Sequence, residues 1–458
     1  MKNTPPASPA AFAHAIVFNA LTCLLVALTL SAAIVRAADV VPAATSNTTA
    51  STVSATPAPA TGIWDRSQLT GDWGGLRSQW SDAGFAPFGS WTGEIWDNTR
   101  GGLRSGMTQD MLTILGFDED LGKAVGWNGT SVHAEFHWLQ GQSPDANTKS
   151  FNSPTDYDAV NHVRVYSIYA AQKLAEGQVS FRAGQFGADS DFFQTDSAAM
   201  FVNAGFTAPP TLFGQTLANG DLAVPQYPVA APGVFARFDP KNIPMYAMAG
   251  VYDGDPGPDK SYNHGFDWKT GNSAVVIGEI GQSYKLGSLA GTTKVGGFYH
   301  GGTFRNWNTG GTGSGVEGLY AIIEQTFLQG TPDASGNTSP VLTGYGYAGW
   351  AGPDSRVAPD NTVSGGVNWH GPIPGRDNDV AGLAVLYTEF SADYTSSAFN
   401  PNGPGATHKA ETVLEATYNA AITPWFNLQP DVQFIFNPAN APTSATAVVI
   451  GARVVVAF

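Results

Sequence analysis

The C-terminal segment, residues 446–458, alternates with a period of two and ends on an aromatic side chain, Phe458. Counting back in twos from that residue gives an unbroken apolar face: Val456, Val454, Ala452, Ile450 and Val448. The other face is less bulky and carries a charge, Arg453. A strand between lipid and a watery interior needs one apolar and one polar face. A terminal edge strand of a secreted β-sandwich would alternate in the same way, so the rest of the chain has to decide.

Residues 1–37 are predicted to be a signal peptide and are left out of the fold. Lys2 precedes an apolar run over 15–30, and small residues before and at Ala37 suit cleavage there; a membrane anchor is the alternative. The single cysteine, Cys23, lies inside this run. Cleavage would leave a chain without cysteine, which excludes disulfides and cysteine metal sites.

Residues 38–62 are rich in Ala, Thr, Pro and Ser without periodicity, which predicts a disordered tail. Residues 63–458 are then long enough for one large barrel domain. After the signal there is no apolar run of about 18 residues, so transmembrane helices are not expected. The net charge of -15 argues against nucleic-acid binding.

Turn and loop signals alternate along the chain. Tight connections are predicted at 173–177 and 238–244, and long loops rich in Gly, Asn, Pro, Ser and Asp at 141–161, 253–273, 301–315 and 391–408. Short turns at one end and long loops at the other are typical of an outer-membrane barrel. The chain shows no repeat of the length expected of a β-propeller.

The segment 131–139 is the clearest upstream strand. One face presents Val132, Ala134, Phe136 and Trp138, and the other presents His133, Glu135 and His137. Burying a carboxylate and two imidazoles in a dry core would be costly, whereas facing water costs little. This strand is therefore predicted to have a lipid side and a wet side.

A glycine- and tryptophan-rich motif over 64–77 opens the ordered part of the chain, with a short helix expected over 78–83. It precedes the first clear strand, so Asp72, Trp73 and Arg77 are candidates for folding into or under the barrel interior. A structural plug of the barrel base is an equal alternative for them.

Several motifs resemble, in order, those of the carbohydrate-selective porins of the OprB family. They are residues 69–77 with 82–84, residues 116–121 with the Gly-Trp-Asn-Gly lead in 125–129, the strand 294–300, the segment 423–438 and the closing residues 451–458. The resemblance implies an all-β fold, a transmembrane antiparallel β-barrel of about sixteen strands with a short N-terminal helical segment. It also implies a monomer in the outer membrane of a Gram-negative bacterium that passes monosaccharides such as glucose. Expected partners are small carbohydrates, outer-membrane lipid and lipopolysaccharide, and no nucleic acid.

A sugar crossing such a wall must exchange hydrogen bonds with water for hydrogen bonds with protein, and its binding must stay weak. The residues predicted to face the interior are His133, Glu135, His137, Arg182, Arg237, Glu389, Glu415, Asp431, Gln433 and Arg453. The plainer interpretation is that many of them only solvate the wall or pair with one another.

Enzyme and metal sites are not expected, and no cofactor is predicted. His133 and His137 recur four residues apart on a strand, about 13 Å by strand rise, which is too far to share one ion. Glu389 and Glu415 could mimic a glycosidase carboxylate pair, and a secreted glycan-binding protein is a further alternative. Phe458 is expected to be the aromatic by which the barrel-assembly machinery recognises the chain, with the last strand closing against the first.

Overall fold

The computed structural model describes residues 62–158, 160–213, 224–269, 273–331, 339–403, 405 and 408–458. The predicted signal peptide, and the predicted tail apart from Gly62, lie outside the described residues. Sixteen strands form one closed antiparallel barrel, in which each strand pairs with its neighbours in sequence and β1 pairs with β16. This confirms the predicted fold and the closure of the last strand against the first.

Fourteen of the sixteen strands have nine or more residues, about the length that a tilted strand needs to cross a bilayer, and β5 and β6 have eight each. The strands are β1 Phe85–Arg100, β2 Gly106–Asp120, β3 Thr130–Gly141, β4 His162–Leu174, β5 Val179–Phe186, β6 Ala231–Phe238, β7 Met245–Asp253, β8 Ala274–Leu286, β9 Leu289–Arg305, β10 Thr312–Gln329, β11 Pro340–Gly352, β12 Pro359–His370, β13 Val380–Phe390, β14 Ala410–Thr423, β15 Phe426–Phe436 and β16 Ala447–Ala457.

The helices are short and lie between strands or before the first one. They are α1 Leu76–Ala83, α2 Leu121–Val125, α3 Asp145–Thr148, α4 Ala204–Thr207, α5 Pro210–Phe213 and α6 Ala392–Ser396. Single 3-10 turns occur at Ile63–Asp65, Trp73–Gly75, Ala175–Gly177, Ala188–Ser190 and Ala198–Met200. Within the described part of the chain, no helix is both long and apolar enough to span a bilayer.

Side-chain exposure follows the predicted period of two in the terminal strand. Ile450 is 50% exposed on the outer face, whereas Arg453 is 6% exposed on the inner face. The same alternation holds in β15, where Phe434 is exposed and Gln433 is buried. Alternation of this kind places an apolar surface toward lipid and a polar one toward the interior.

The two ends of the barrel differ in the length of their connections. The end at which β1 begins and β16 ends has short turns, such as residues 287–288 and 424–425. The opposite end carries long connections, including 142–161, 254–273 and 391–409. In outer-membrane barrels these ends are periplasmic and extracellular, respectively. The predicted long loop at 301–315 is wrong, because β9 and β10 extend the hairpin and leave only 306–311 between them.

The N-terminal segment 62–84, called the cap segment here, packs at the periplasmic rim. Leu69 N–H donates to Ala457 O at 2.9 Å, and the Arg77 Nη2 donates to the main-chain oxygen of Phe458 at 3.0 Å. Helix α1 ends at Gly84, whose φ of 108° is a left-handed conformation that suits glycine at a helix end. The cap segment is thus fastened to the end of the terminal strand.

Candidate functional site

The connection between β5 and β6 turns into the barrel interior. Its described residues, 187–213 and 224–230, are called the inner loop here. Five of its phenylalanines are at most 2% exposed: Phe192, Phe193, Phe201, Phe206 and Phe213. They pack against inward-facing rings of the wall, with Phe193 edge-on to Tyr347 at 4.8 Å between centroids. A barrel of this size has an interior wider than wall side chains can fill. The inner loop therefore narrows it.

Carboxylates of the wall hold the inner loop by its main chain. Glu279 of β8 accepts from Phe193 N–H at 3.1 Å, and Glu324 of β10 accepts from Ser197 N–H at 2.9 Å. These strands lie on the side of the barrel across from β1. Phe193 and Ser197 are buried, so their N–H groups need a partner within the protein. The wall thus fixes the position of the loop through carboxyl acceptors.

Glu415 of β14 is the most buried of these anchors. Its carboxylate accepts from the N–H groups of Val202 and Asn203 at 2.7 and 3.0 Å. Asn203 also donates to Gln433 at 3.0 Å, and Gln433 in turn lies beside Asp431. The predicted inward residues Glu415, Asp431 and Gln433 are therefore brought together, but mainly to bind the inner loop.

Arg453 joins the wall to the extracellular connection 142–161. Its guanidinium forms ion pairs with Glu94 of β1 and with Asp156, and it lies over the ring of Tyr157 at 4.3 Å. The inward orientation follows the prediction. All of its charge is directed at protein partners, so Arg453 positions this loop.

The inner face of β3 is more exposed to solvent than the buried anchoring residues described above. His133 Nδ1 lies 2.8 Å from Asp118 Oδ1, and its Nε2 lies 3.5 Å from Glu135. Glu135 also contacts His137, whose ring stacks on Tyr166 at 4.4 Å. Glu135 and His133 stay partly exposed, at 20% and 14% of their side chains, whereas His137 is buried, so the first two groups meet the interior.

Two arginines extend this face around the barrel. Arg182 pairs with Asp191 of the inner loop and lies over Tyr169 at 4.8 Å. Arg237 pairs with Asp239 at 2.8 Å and lies over Tyr246 at 3.8 Å, with 32% of its side chain exposed. Each guanidinium thus sits on an aromatic ring, an arrangement that stabilises a cation.

Sequence reasoning missed polar groups near the inner loop. Lys294 of β9 lies 3.8 Å from Glu324, and its ammonium donates to the main-chain oxygen of Gln194. Gln194 and Asp196 are exposed on the inner loop. The two-residue alternation of the strand 294–300 could have assigned Lys294 to the inward face. A loop has no periodicity, so nothing comparable pointed to the other two.

The prediction for Glu389 is wrong. It shares the outward face of β13 with Leu383, Val385 and Tyr387, which are exposed, while Leu386 points inward and is fully buried. Leu386 lies against Gly205 of the inner loop. An apolar residue such as Leu386 can face this interior because the inner loop fills it. For that reason the polarity of Glu389 alone assigned it to the wrong face of the strand. Glu389 and Glu415 lie on opposite faces and form no carboxylate pair.

Asp72, Trp73 and Arg77 belong to the cap segment, outside the ring of inward-facing side chains. Asp72 accepts from Ser78 N–H at 2.8 Å, and the Arg77 guanidinium lies over Trp73 at 4.3 Å. Asp72 and Trp73 are exposed at the periplasmic rim. Their position corresponds to the structural alternative and does not place them in the interior.

One carboxyl of the inner loop is buried and hydrogen-bonded. Asp189 accepts from Tyr166 O–H at 3.1 Å and from Tyr227 N–H at 2.9 Å. Burial raises the pKa of Asp189 to about 6, against the lowering effect of these hydrogen bonds. Among the described residues, no group of three or more His, Cys, Asp or Glu side chains is placed to hold a metal ion.

A closed antiparallel barrel with exposed apolar side chains outside, charged groups inside and a loop folded into the interior defines an outer-membrane channel of the porin class. The chain belongs to the carbohydrate-selective porin, OprB family, whose family model matches residues 104–458. It is therefore a porin of the Gram-negative outer membrane.

Similar proteins agree with this assignment. Porin B of Pseudomonas aeruginosa is 22% identical over 445 residues, covering 85% of this chain and 91% of the relative. The putative porin QuiX of Acinetobacter baylyi is 23% identical over 424 residues, covering 84% and 92%. The high-pH structure of Pseudomonas putida OprB has the same fold, with a TM-score of 0.77 at 19% identity, covering 87% of this chain and 100% of that one.

Proposed function

We propose that this porin conducts monosaccharides such as glucose by passive diffusion into the periplasm, as a monomer and without catalysis. The observation that carries the proposal is the stacking of arginine guanidinium groups on tyrosine rings along β4 to β7. Arg182 lies over Tyr169, and Arg237 lies over Tyr246. Guanidinium groups donate to sugar hydroxyls, and aromatic rings offer apolar surface to the C–H face of a pyranose.

The charges on this face are balanced by neighbours. Arg182 is paired with Asp191, Arg237 with Asp239 and Lys294 with Glu324. A paired group can exchange a hydrogen bond with a passing hydroxyl while it keeps its ionic partner. Contacts of that kind are weak enough to allow release, which conduction requires.

Planar-bilayer recording with the purified full-length protein tests the proposal. Addition of glucose should reduce the ion current through single channels in a saturable manner. Arg237→Gln should weaken that block severalfold. Arg376→Gln is the matched control, because Arg376 forms a comparable pair with Asp379, at 2.7 Å, on the periplasmic turn 371–379. Absence of conductance, or a current unaffected by glucose, would refute a sugar channel.

The size limit can be measured in the same preparation. In liposome-swelling assays, glucose should enter much faster than a trisaccharide, because the inner loop narrows the interior. Equal rates for the two solutes would contradict the proposed preference for monosaccharides.

A further inference from the structure

A cavity of about 970 Å³ lies on the outer wall of the barrel, toward the extracellular end. Its sides are formed by β4 to β9 and by Phe266, Trp268 and Ser273 of the connection between β7 and β8. The wall is thin here, with Gly184, Gly233 and Gly301 among the lining residues. No sequence motif pointed to this cavity, and the channel through the barrel does not use it.

The cavity opens toward the membrane. Ile168, Val234 and Val251 line it, and all three are exposed on the outward face of their strands. Exposed apolar side chains at these positions belong to the lipid-facing band of the barrel. The apolar side of the cavity therefore faces the bilayer.

The connection 254–273 supplies an aromatic side to the cavity. Val165 N–H donates to His264 O at 3.0 Å, and the Trp268 Nε1 donates to Gln185 Oε1 at 2.8 Å. β5 ends at Phe186, so the upper edge of β4 has no strand partner there and the connection takes that place. This anchoring leaves Phe266 55% exposed beside the apolar wall.

One end of the cavity is polar. Asp253 Oδ2 and Ser273 Oγ are buried, and neither has a hydrogen-bond partner among the described residues. Both residues line the cavity. A buried polar atom without a partner costs free energy, which a ligand that supplies a donor would relieve.

We propose that this cavity binds an acyl chain of an outer-leaflet glycolipid, with a hydroxyl or amide N–H of that lipid donating to Asp253. The apolar side chains and Phe266 would receive the hydrocarbon. The glycerol esters of a phospholipid offer only acceptors at the base of the acyl chains, whereas an amide-linked or hydroxylated acyl chain offers an N–H or O–H donor there, which is the group that Asp253 Oδ2 lacks. This distinguishes a glycolipid with donors at the base of its acyl chains from an ordinary phospholipid.

The test fills the cavity without disturbing the wall. A Cβ added at Gly301 meets no atom closer than 3.6 Å, and Gly301→Leu would project into the cavity. Gly278→Leu is the matched control: Gly278 lies on the outward face of β8 outside the cavity, and its added Cβ also meets no atom closer than 3.6 Å.

The full-length protein and both variants would be purified in detergent and titrated with lipid A, and separately with phosphatidylethanolamine, under native mass spectrometry. We expect Gly301→Leu to lower retained lipid A at least fivefold and Gly278→Leu to leave it unchanged. Equal retention by all three proteins would overturn the proposal, as would equal binding of phosphatidylethanolamine. Heat-modifiable gel mobility checks folding. If Gly301→Leu does not fold, Phe266→Ser, a change in an exposed loop side chain, replaces it in the same titration with the same expected loss.

Discussion

Carboxylates on the inner wall of this porin bind main-chain N–H groups of loops. Glu411 is an example outside the inner loop: it accepts from Phe151 N–H at 2.7 Å, Asn152 N–H at 2.8 Å and Ala439 N–H at 2.8 Å. It thereby joins two extracellular connections to β14. A residue that appears from sequence to serve the solute can instead hold the structure that shapes the path.

Glu415→Gln should loosen the inner loop. The substitution keeps the size of the side chain but replaces one of the two oxygens that accept from Val202 and Asn203 by an NH2 group, and a buried donor left without its acceptor costs about 1–3 kcal/mol. We expect a larger and noisier single-channel current. Glu389→Gln is the control, because that carboxyl faces outward. Identical currents in the two variants would refute the anchoring role.

Arg453→Met should destabilise the barrel at its seam. The change leaves Glu94 and Asp156 without their cation, and loss of one partner of a buried pair costs about 3–5 kcal/mol. The temperature at which the folded form is lost on a gel should fall clearly. Adding Glu94→Gln should recover part of that loss, and failure of the second change to help would indicate that packing, not charge, is responsible.

At the scale of elements, the inner loop has a pH dependence through Asp189. Its pKa is raised in the folded state to about 6, from 3.8. A raised pKa means that the folded state binds the proton more tightly, so stabilisation of the loop is complete below the unfolded pKa and is lost as the pH rises through about 6.

Current fluctuations should therefore increase from pH 4 to pH 7 in the natural protein. Asp189→Asn should remove most of that change. Burial also raises the pKa of Asp145, in the connection 142–161, to about 6. Asp145 is present in both proteins, so the difference between them isolates Asp189. An unchanged pH profile in the variant would show that the loop does not respond to this carboxyl.

The terminal strand shows how much of an element's orientation can be predicted from the sequence. Arg453 could be assigned to the inner face because its neighbours at a spacing of two are small and the alternate positions are apolar. The inner loop could not be predicted in this way. Its phenylalanines carry no regular period, and their burial depends on Tyr320, Tyr345 and Tyr347, which distant strands bring together.

The predicted inward orientation of Glu389 was wrong for a related reason. The prediction assumed that lipid is the only apolar environment of a barrel wall. Here the inner loop provides a second one, so Leu386 faces inward and the parity of β13 is the reverse of the expected parity. Strand residues can be assigned to the inward or outward face from sequence where the interior is filled with water, as beside β3. The assignment is less reliable where a loop fills the interior.

At the scale of the whole molecule, the outer surface bears on the oligomeric state. Exposed apolar side chains occur around the full circumference, from Ile95 on β1 through Phe181 on β5 and Tyr299 on β9 to Leu383 on β13. Every sector of the wall is therefore suited to lipid. The mass of the protein–detergent complex by light scattering should correspond to one chain, and a stable trimer would contradict this prediction.

The contacts of the cap segment indicate when it folds relative to the barrel. Leu69 and Arg77 bind the main-chain oxygens of Ala457 and Phe458. Those oxygens reach their final positions only when β16 has joined β1. Leu69 and Arg77 precede every strand in the sequence, yet their contacts with β16 form only after the barrel has closed. A cap segment bound to the main-chain oxygens at the end of β16 is therefore a mark of a closed barrel.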